Sequence, residues 1–155
     1  MDKRLRAQEL VSGLGALLTI PEMKLDEATQ SCVLLFQGDL VVNIEYDEGG
    51  GQLICSSYLG ALPDTGAEPL LRELMGANLF WNRTLGATLC LEEATDGVLL
   101  VYGHGVADLD LDAFEAVVRN FVDQAAHWQM RLAQGERAAQ PPADPPTLTG
   151  AISFA

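Results

Sequence analysis

The side chains in this sequence that could support metal chemistry include three aspartates that alternate with leucines near residue 110. Asp108, Asp110 and Asp112 superficially resemble part of a calcium-binding loop. The sixth position of such a loop is a glycine that allows a sharp turn, and no glycine stands there. We therefore interpret these carboxylates as solvated groups near a helix start, where negative charge is favoured. The sequence predicts no metal site.

Catalytic motifs are equally scarce. His104 and His127 lie far apart in sequence, and no Ser, His and Asp, or Cys and His, form a recognisable arrangement. Residues 49–51 are three glycines without the Lys and Ser/Thr of a phosphate-binding loop, and they read as a hairpin turn. Nothing in the sequence recommends an enzyme, and we predict no catalytic residues and no cofactor.

The three cysteines indicate a reducing compartment. Cys32, Cys55 and Cys90 are odd in number, widely spaced and embedded in apolar runs that resemble strands. Buried reduced thiols explain this pattern better than a disulfide framework or a zinc site. We therefore expect a cytoplasmic protein.

The charge balance restricts the partners. Nine Lys and Arg face 22 Asp and Glu, which gives a net charge of −13. Nucleic acids and anionic membrane surfaces would be repelled, whereas a basic or apolar protein partner is permitted. No stretch approaches the roughly 20 apolar residues of a membrane span, so no membrane insertion is expected.

Hydrophobic periodicity predicts the order αβββαββα, an α+β fold with a twisted antiparallel sheet and packed helices. The last helix is predicted to begin with a capping box from Asp112 to Glu115 and to continue through Leu132. Residues 1–134 would form the folded domain, and residues 135–155 a Pro/Ala-rich flexible tail, with apolar side chains near 152–154 that could dock. The predicted segments are a helix at 3–18, strands at 32–37, 40–46 and 53–62, a helix from Pro69, and a hairpin at 87–91 and 98–102.

Two segments carry more apolar surface than one small domain needs. The helix that begins at Pro69 runs into Leu79, Phe80 and Trp81, which spread apolar side chains around its end. Such a helix needs a second surface, and we expect another copy of the chain to supply it. The first predicted strand is apolar on both faces, and as an edge strand it would also expose unpaired backbone groups that accept an added strand.

With this pattern assembled, the chain resembles the class I type III secretion chaperones, the Tir-chaperone family. The resemblance spans residues 3–132 and is most specific at 69–101. The sequences that carry it are LLRELMGANL at 70–79, LGATLCL at 85–91, DGVLL at 96–100 and FVDQAAHW at 121–128.

The resemblance implies a bacterial cytoplasmic homodimer that binds the N-terminal segment of a secreted effector in extended form and keeps it soluble and secretion-competent. The second helix and the strand after it would make the dimer contact. Candidate dimer residues are Leu70, Leu74, Met75, Asn78, Phe80 and Trp81. Candidate effector-binding residues are Leu10, Leu14, Leu17, Val33, Leu35, Val42 and Ile44.

Two other functions remain open from the sequence. One is a regulatory module on the same scaffold, which would sequester a transcriptional regulator or another secretion component. The other is a small-molecule enzyme or carrier on an α+β dimer, which predicts an enclosed pocket with converging polar groups. No such groups are evident in the sequence.

Overall fold

The secondary structure follows the predicted order αβββαββα. The computed structural model describes residues 2–139, and side chains as far as residue 135. The elements are α1 (Lys3–Leu17), β1 (Ser31–Phe36), β2 (Leu40–Asp47), β3 (Gln52–Ala61), α2 (Ala67–Ala77), β4 (Thr88–Glu92), β5 (Gly97–Gly105) and α3 (Leu111–Ala139). Single turns of 3-10 helix follow α2, at Leu79–Trp81, and β5, at Val106–Asp108.

The strands described here form one antiparallel sheet in the order β1-β2-β3-β5-β4. Short turns join β1 to β2, β2 to β3, and β4 to β5, so the predicted antiparallel sheet and hairpin are confirmed. Pairing of β3 with β5 joins the two groups. The α+β class is confirmed, and β1 and β4 form the two edges of the sheet.

One face of the sheet is covered by helices. Leu40, Val42, Ile44 and Tyr46 of β2 are buried, whereas Val41 and Glu45 on the other face are exposed, as expected for a strand with one covered face. On the covered side, α3 packs against β3 and β2, and α1 packs against α3. The core therefore lies between the sheet and these two helices.

Helical spacing places the largest side chains in this core. Phe114, Phe121 and Trp128 recur every seventh residue on α3 and are buried. On α1, Gly15 permits a close approach, since a Cβ there would lie 2.4 Å from the Cβ of Met23. The helix glycine therefore brings the loop after α1 into contact with the helix.

The ends of α3 differ from the prediction. The helix is capped by Asp110, whose Oδ1 accepts a hydrogen bond from the Ala113 backbone N–H at 2.8 Å. The predicted capping box at Asp112 is therefore wrong, because Asp112 already lies in the first helical turn. At the other end α3 continues to Ala139, beyond the predicted domain boundary at 134. The predicted tail beyond Ala139 lies outside the described residues.

Candidate functional site

The most exposed apolar side chains of the sheet lie at its β1 edge. Val33 and Leu35 are 63% and 73% exposed, and Val41, opposite Leu35 in the register, is also exposed. We call Val33, Leu35 and Val41 the open-edge surface. These side chains share one face because alternate residues of a strand point to the same side.

The backbone of the same edge is also open. Gln30 O accepts a hydrogen bond from Tyr46 N at 2.8 Å, so the antiparallel alternation directs the N–H and C=O groups of residues 31, 33 and 35 away from β2. Ser31 O is occupied, because it accepts a bond from Asp26 N at 2.9 Å. Val33 and Leu35 keep backbone groups without a partner among residues 2–139, and this is where another strand can pair.

An apolar groove of about 130 Å³ runs beside this edge on the helix side of the sheet. Phe36 of β1 reaches it from the sheet, and the buried Leu14 forms its floor. The Arg119 guanidinium forms an ion pair with Glu115 at its rim. The groove is lined by Leu14, Leu18, Phe36, Glu115, Val118, Arg119, Val122 and Asp123.

A second apolar surface lies at the opposite end of the sheet, around the turn after α2. Met75 and Phe80 are 73% and 77% exposed. Phe80 and Trp81 have φ angles of 52° and 53°, a left-handed conformation that is strained for bulky residues. We call this the α2-turn surface, and its members are Met75, Leu79, Phe80, Trp81, Leu85 and Leu91.

Two charged contacts hold the α2-turn surface against α3. Arg131 of α3 donates to both oxygens of Glu73, with Nη2 to Oε2 at 2.6 Å and Nε to Oε1 at 3.2 Å. Arg83 approaches Glu73 at 3.5 Å and places its guanidinium 5.5 Å from the ring centroid of Trp128. The strained turn is therefore tied to α3 on both sides, through Glu73 before it and Arg83 after it.

Asn78 occupies the β4 edge at Leu89. Its Oδ1 accepts from Leu89 N at 2.8 Å, and its Nδ2 donates to Leu89 O at 3.0 Å. The amide thus pairs with β4 as a neighbouring strand would. Ala87 N also has a partner, Thr84 O at 3.1 Å. The β4 edge is therefore occupied at Ala87 and Leu89, whereas the outward backbone groups of Val33 and Leu35 at the β1 edge have no partner among residues 2–139.

Only some of the predicted effector-binding residues reach the surface. Leu17, Val33 and Leu35 are exposed. Leu10, Val42 and Ile44 are core residues, because α1 and β2 turn these side chains toward α3, so they do not belong to an exposed surface. Leu14 is also buried but forms the groove floor. Hydrophobic periodicity alone did not separate the exposed candidates from the buried ones, since both groups contain the same residue types.

The predicted dimer residues divide in a similar way. Met75, Phe80 and Trp81 are exposed, whereas Leu70 and Leu74 are buried within the protomer. Asn78 directs its side chain to β4 rather than outward. The candidate set omitted three exposed residues of this surface, Leu79, Leu85 and Leu91, of which Leu79 was already visible in the apolar run after Asn78.

The cysteines are poorly suited to nucleophilic chemistry. Burial raises the pKa of Cys32 to about 11 and that of Cys55 to about 12, where the nearby Cys32 adds to the effect. Burial also raises the pKa of Cys90. These thiols stay protonated near neutral pH, and the thiolate is the reactive form.

Within residues 2–139, no group of three or more His, Cys, Asp and Glu side chains is arranged to hold a metal ion. The same part of the chain contains no helix that is long and apolar enough to cross a membrane.

Comparison with known proteins identifies a matching family, one relative by sequence and two solved structures with a similar fold. The model of the Tir chaperone protein (CesT) family matches residues 9–129. The transcriptional anti-antiactivator ExsC of Pseudomonas aeruginosa is 26% identical over 132 residues, 85% of this chain and 89% of ExsC. The crystal structure of the ExsC–ExsE complex aligns with a TM-score of 0.71 and 25% identity, over 85% of this chain and 97% of that chain. The HopA1–SchA chaperone–effector complex aligns with a TM-score of 0.66 and 14% identity, over 84% of this chain and 95% of that chain.

Proposed function

This chain belongs to the Tir chaperone family of type III secretion chaperones, and we propose that it captures the N-terminal segment of a secreted effector at the open-edge surface. The observation that carries this proposal is the β1 edge, where apolar side chains and unpaired backbone groups coincide at Val33 and Leu35. The bound segment stays extended, and the chaperone keeps it soluble and ready for secretion. We propose that the protein acts in the bacterial cytoplasm.

The proposed binding mode is addition of a strand. The effector segment forms backbone hydrogen bonds with Val33 and Leu35 and extends the sheet. Its side chains then alternate between the outer face, beside Leu35 and Val41, and the groove on the helix side. A groove of about 130 Å³ accepts one or two aliphatic side chains. Ordering a flexible segment opposes binding, so the contact must extend over a long stretch of the effector.

We further propose that the protein is a homodimer through the α2-turn surface. Six exposed apolar side chains lie on α2, the turn after it and β4, and exposed apolar side chains gathered in one region are typical of an interface. Because β1 and β4 are opposite edges of the sheet, dimer formation leaves both open-edge surfaces available. One effector segment can then contact two protomers.

The charge of the chaperone defines the kind of segment that it favours. With a net charge of −13, the surface attracts basic residues and repels acidic ones. The preferred segment is therefore apolar at alternate positions and basic between them. The acidic surface also keeps the complex soluble while apolar side chains are covered.

The test of the binding mode removes one backbone donor from the open edge. Val33→Pro deletes an N–H that points away from β2, and proline is tolerated on edge strands when the lost N–H faces solvent. The probe is the N-terminal segment of the protein that copurifies from a secreting bacterium, identified by mass spectrometry and then synthesised. We expect at least a tenfold loss of affinity in titration calorimetry.

The matched control is Val33→Thr, which keeps a β-branched side chain and the backbone N–H. It should bind within about twofold of the parent protein, because strand pairing is intact. Equal affinities of the proline and threonine variants, with both proteins folded, would reject strand addition at this edge.

The dimer is tested by light scattering at micromolar concentration. Phe80→Asp places a charge at the most exposed side chain of the α2-turn surface and should give a monomeric mass, because a charge buried unpaired in a dimer contact is costly. Met130→Asp is the control, since Met130 is similarly exposed but lies on α3. A monomeric mass for the unsubstituted protein would contradict the proposed homodimer.

A second function is favoured by one relative. ExsC is a transcriptional anti-antiactivator, and its 26% identity extends over 85% of this chain. A regulatory module would use the same open edge to sequester a transcriptional regulator or a secretion component. The two functions differ in the protein that copurifies: a secreted effector supports the first, and a regulator that remains in the cell supports the second.

A further inference from the structure

An apolar pocket of about 200 Å³ lies between α2 and β4, apart from the groove beside β1. Met75 and Leu91 line it and also belong to the α2-turn surface, so the pocket opens within that surface. Its lining includes Leu71, Leu74 and Met75 of α2 and Leu89, Cys90 and Leu91 of β4. An apolar cavity of about 150 Å³ is large enough to hold one benzene molecule. This pocket therefore has room for one aromatic ring.

The polar side chains that line the pocket already have partners. The Asn78 amide bonds the backbone N–H and C=O of Leu89, and the Cys90 thiol donates to Thr88 O at 3.6 Å. An apolar occupant breaks none of these hydrogen bonds, so its burial carries no cost from an unpaired side chain. No charged side chain lines the pocket. Two copies of a chain with a net charge of −13 can therefore meet here with little repulsion.

The turn after α2 holds an aromatic ring that has no contact surface of its own. Phe80 is 77% exposed, so it does not fill the pocket of its own chain. Trp81 is held against β4, because its indole N–H donates to Thr88 Oγ1 at 3.3 Å. Both residues have left-handed φ angles, and strain of this kind is concentrated at binding sites. The strained turn therefore presents Phe80, rather than Trp81, to a partner.

Two-fold symmetry can bring Phe80 and the pocket together. In an antiparallel pair of α2 helices with the symmetry axis beside Met75, every contact occurs twice. Phe80 lies five residues after Met75, and Leu71 lies four residues before it. At the helical rise these separations are about 7.5 Å and 6 Å, so Phe80 of one copy lies opposite Leu71 of the other.

We propose that Phe80 of each protomer inserts its ring into the pocket between α2 and β4 of a second copy of the chain. This inference rests on the proposed homodimer and names the contact that holds it together. It assigns the pocket a role in association, with Leu71 and Cys90 as contact residues that neither exposure nor periodicity had singled out.

The first experiment measures the dimer dissociation constant by sedimentation equilibrium. Phe80→Ala should raise this constant at least about a hundredfold, because each dimer loses two buried rings. Leu85→Ala is the matched control, since Leu85 is also exposed, belongs to the same surface and has a left-handed φ of 51°, but does not line the pocket. It should raise the constant less than about tenfold.

A second variant fills the pocket from within its own chain. Cys90→Phe places a ring where the ring of the other copy would bind, and should weaken the dimer at least about tenfold. Phe80→Ala combined with Cys90→Phe should associate more tightly than Phe80→Ala alone, because each pocket again holds a ring and no second ring competes for it. If Cys90→Phe does not fold, Leu71→Phe fills the same pocket from α2.

The outcomes separate this inference from the proposed homodimer. A dimeric parent with equal dissociation constants for Phe80→Ala and Leu85→Ala keeps the homodimer and rejects insertion of the ring. A double variant that associates more weakly than both single variants also rejects it, because losses at independent sites add. A monomeric parent overturns the homodimer and this inference together. Recovery of association in the double variant supports the ring in the pocket.

Discussion

The two edges of the sheet differ in how far their outward backbone groups are paired. Each edge strand has backbone groups that no other strand pairs with. At β4 the Asn78 amide bonds both the N–H and the C=O of Leu89, and Thr84 O accepts from Ala87 N. At β1 only Ser31 is bonded, and Val33 and Leu35 stay open within the described chain. The backbone groups of an edge strand therefore stay unpaired unless particular residues of the chain bind them.

The apolar surfaces beside the two edges also differ in how they are held to the rest of the protein. Next to the β4 edge, the α2-turn surface is fixed to α3 through Glu73, Arg83 and Arg131. A fixed apolar surface suits a permanent partner such as a second copy of the chain. Next to the open edge, Val33 and Leu35 lie on a simple strand with free backbone groups, which suits an extended segment that binds and leaves.

The largest expected loss of stability distinguishes a buried from an exposed side chain of β1. Leu34→Ala should lower the free energy of unfolding by about 3 kcal/mol, because Leu34 is buried against the core. Leu35→Ala, the same substitution one residue further on, should cost less than about 0.5 kcal/mol, because that side chain is exposed. Denaturant unfolding of both variants measures the difference. Similar losses would show that the outer face of β1 is covered.

Removing the Asn78 contact with the β4 edge should have the next largest effect on stability. Asn78→Ala removes two hydrogen bonds and leaves Leu89 N–H and C=O unpaired, which should destabilise the protein by about 2 kcal/mol. Asn82→Ala is the control, since Asn82 is exposed in the same turn region. If the two variants unfold at the same denaturant concentration, the amide does not stabilise the β4 edge.

The smallest effect concerns the turn that covers Ser31. Backbone hydrogen bonds from Thr29 and Ala28 hold the pKa of the Asp26 carboxyl below its usual value of 3.8. Because the pKa of this carboxyl is lower in the folded turn than in the unfolded chain, its ionisation stabilises the folded turn at pH values above the unfolded pKa. This contribution is lost as the pH falls through the lower, folded pKa. Amide exchange at Ala28 and Thr29 should therefore accelerate only in that acid range.

Asp26→Asn provides the control for this titration. An Asn side chain keeps an oxygen that accepts from Ala28 N and Thr29 N but does not ionise in this range. The variant should therefore lose the pH dependence while the turn persists. A carboxyl midpoint at or above 3.8 in an NMR titration of the parent protein contradicts the predicted shift.

The sequence predicted the elements better than it predicted the surfaces. Period-two and helical patterns located the strands and helices, because the pattern depends on one covered sheet face. The family resemblance drawn from residues 69–101 is confirmed. Burial was harder, since Val33 and Val42 are the same residue type and only the packing of α3 makes one exposed and the other buried.

Polar contacts between distant segments were not predictable from spacing. Asn78 is an isolated polar residue in an apolar run, which suggested an interface, but its partner is the backbone of Leu89. The α3 cap was displaced to Asp110 because three aspartates alternate there and each is a good cap. Sequence spacing left these choices open, and the tertiary packing decides between them.

The two tryptophans of the chain lie in opposite environments, and this gives the molecule two optical reporters. Trp128 is fully buried beneath the Arg83 guanidinium, whereas half of Trp81 is open to water. Fluorescence from a Trp81→Phe protein therefore follows only the unfolding of the core. Fluorescence from Trp81, obtained by difference, follows only the covering of the α2-turn surface, so association and unfolding can be observed separately in one sample.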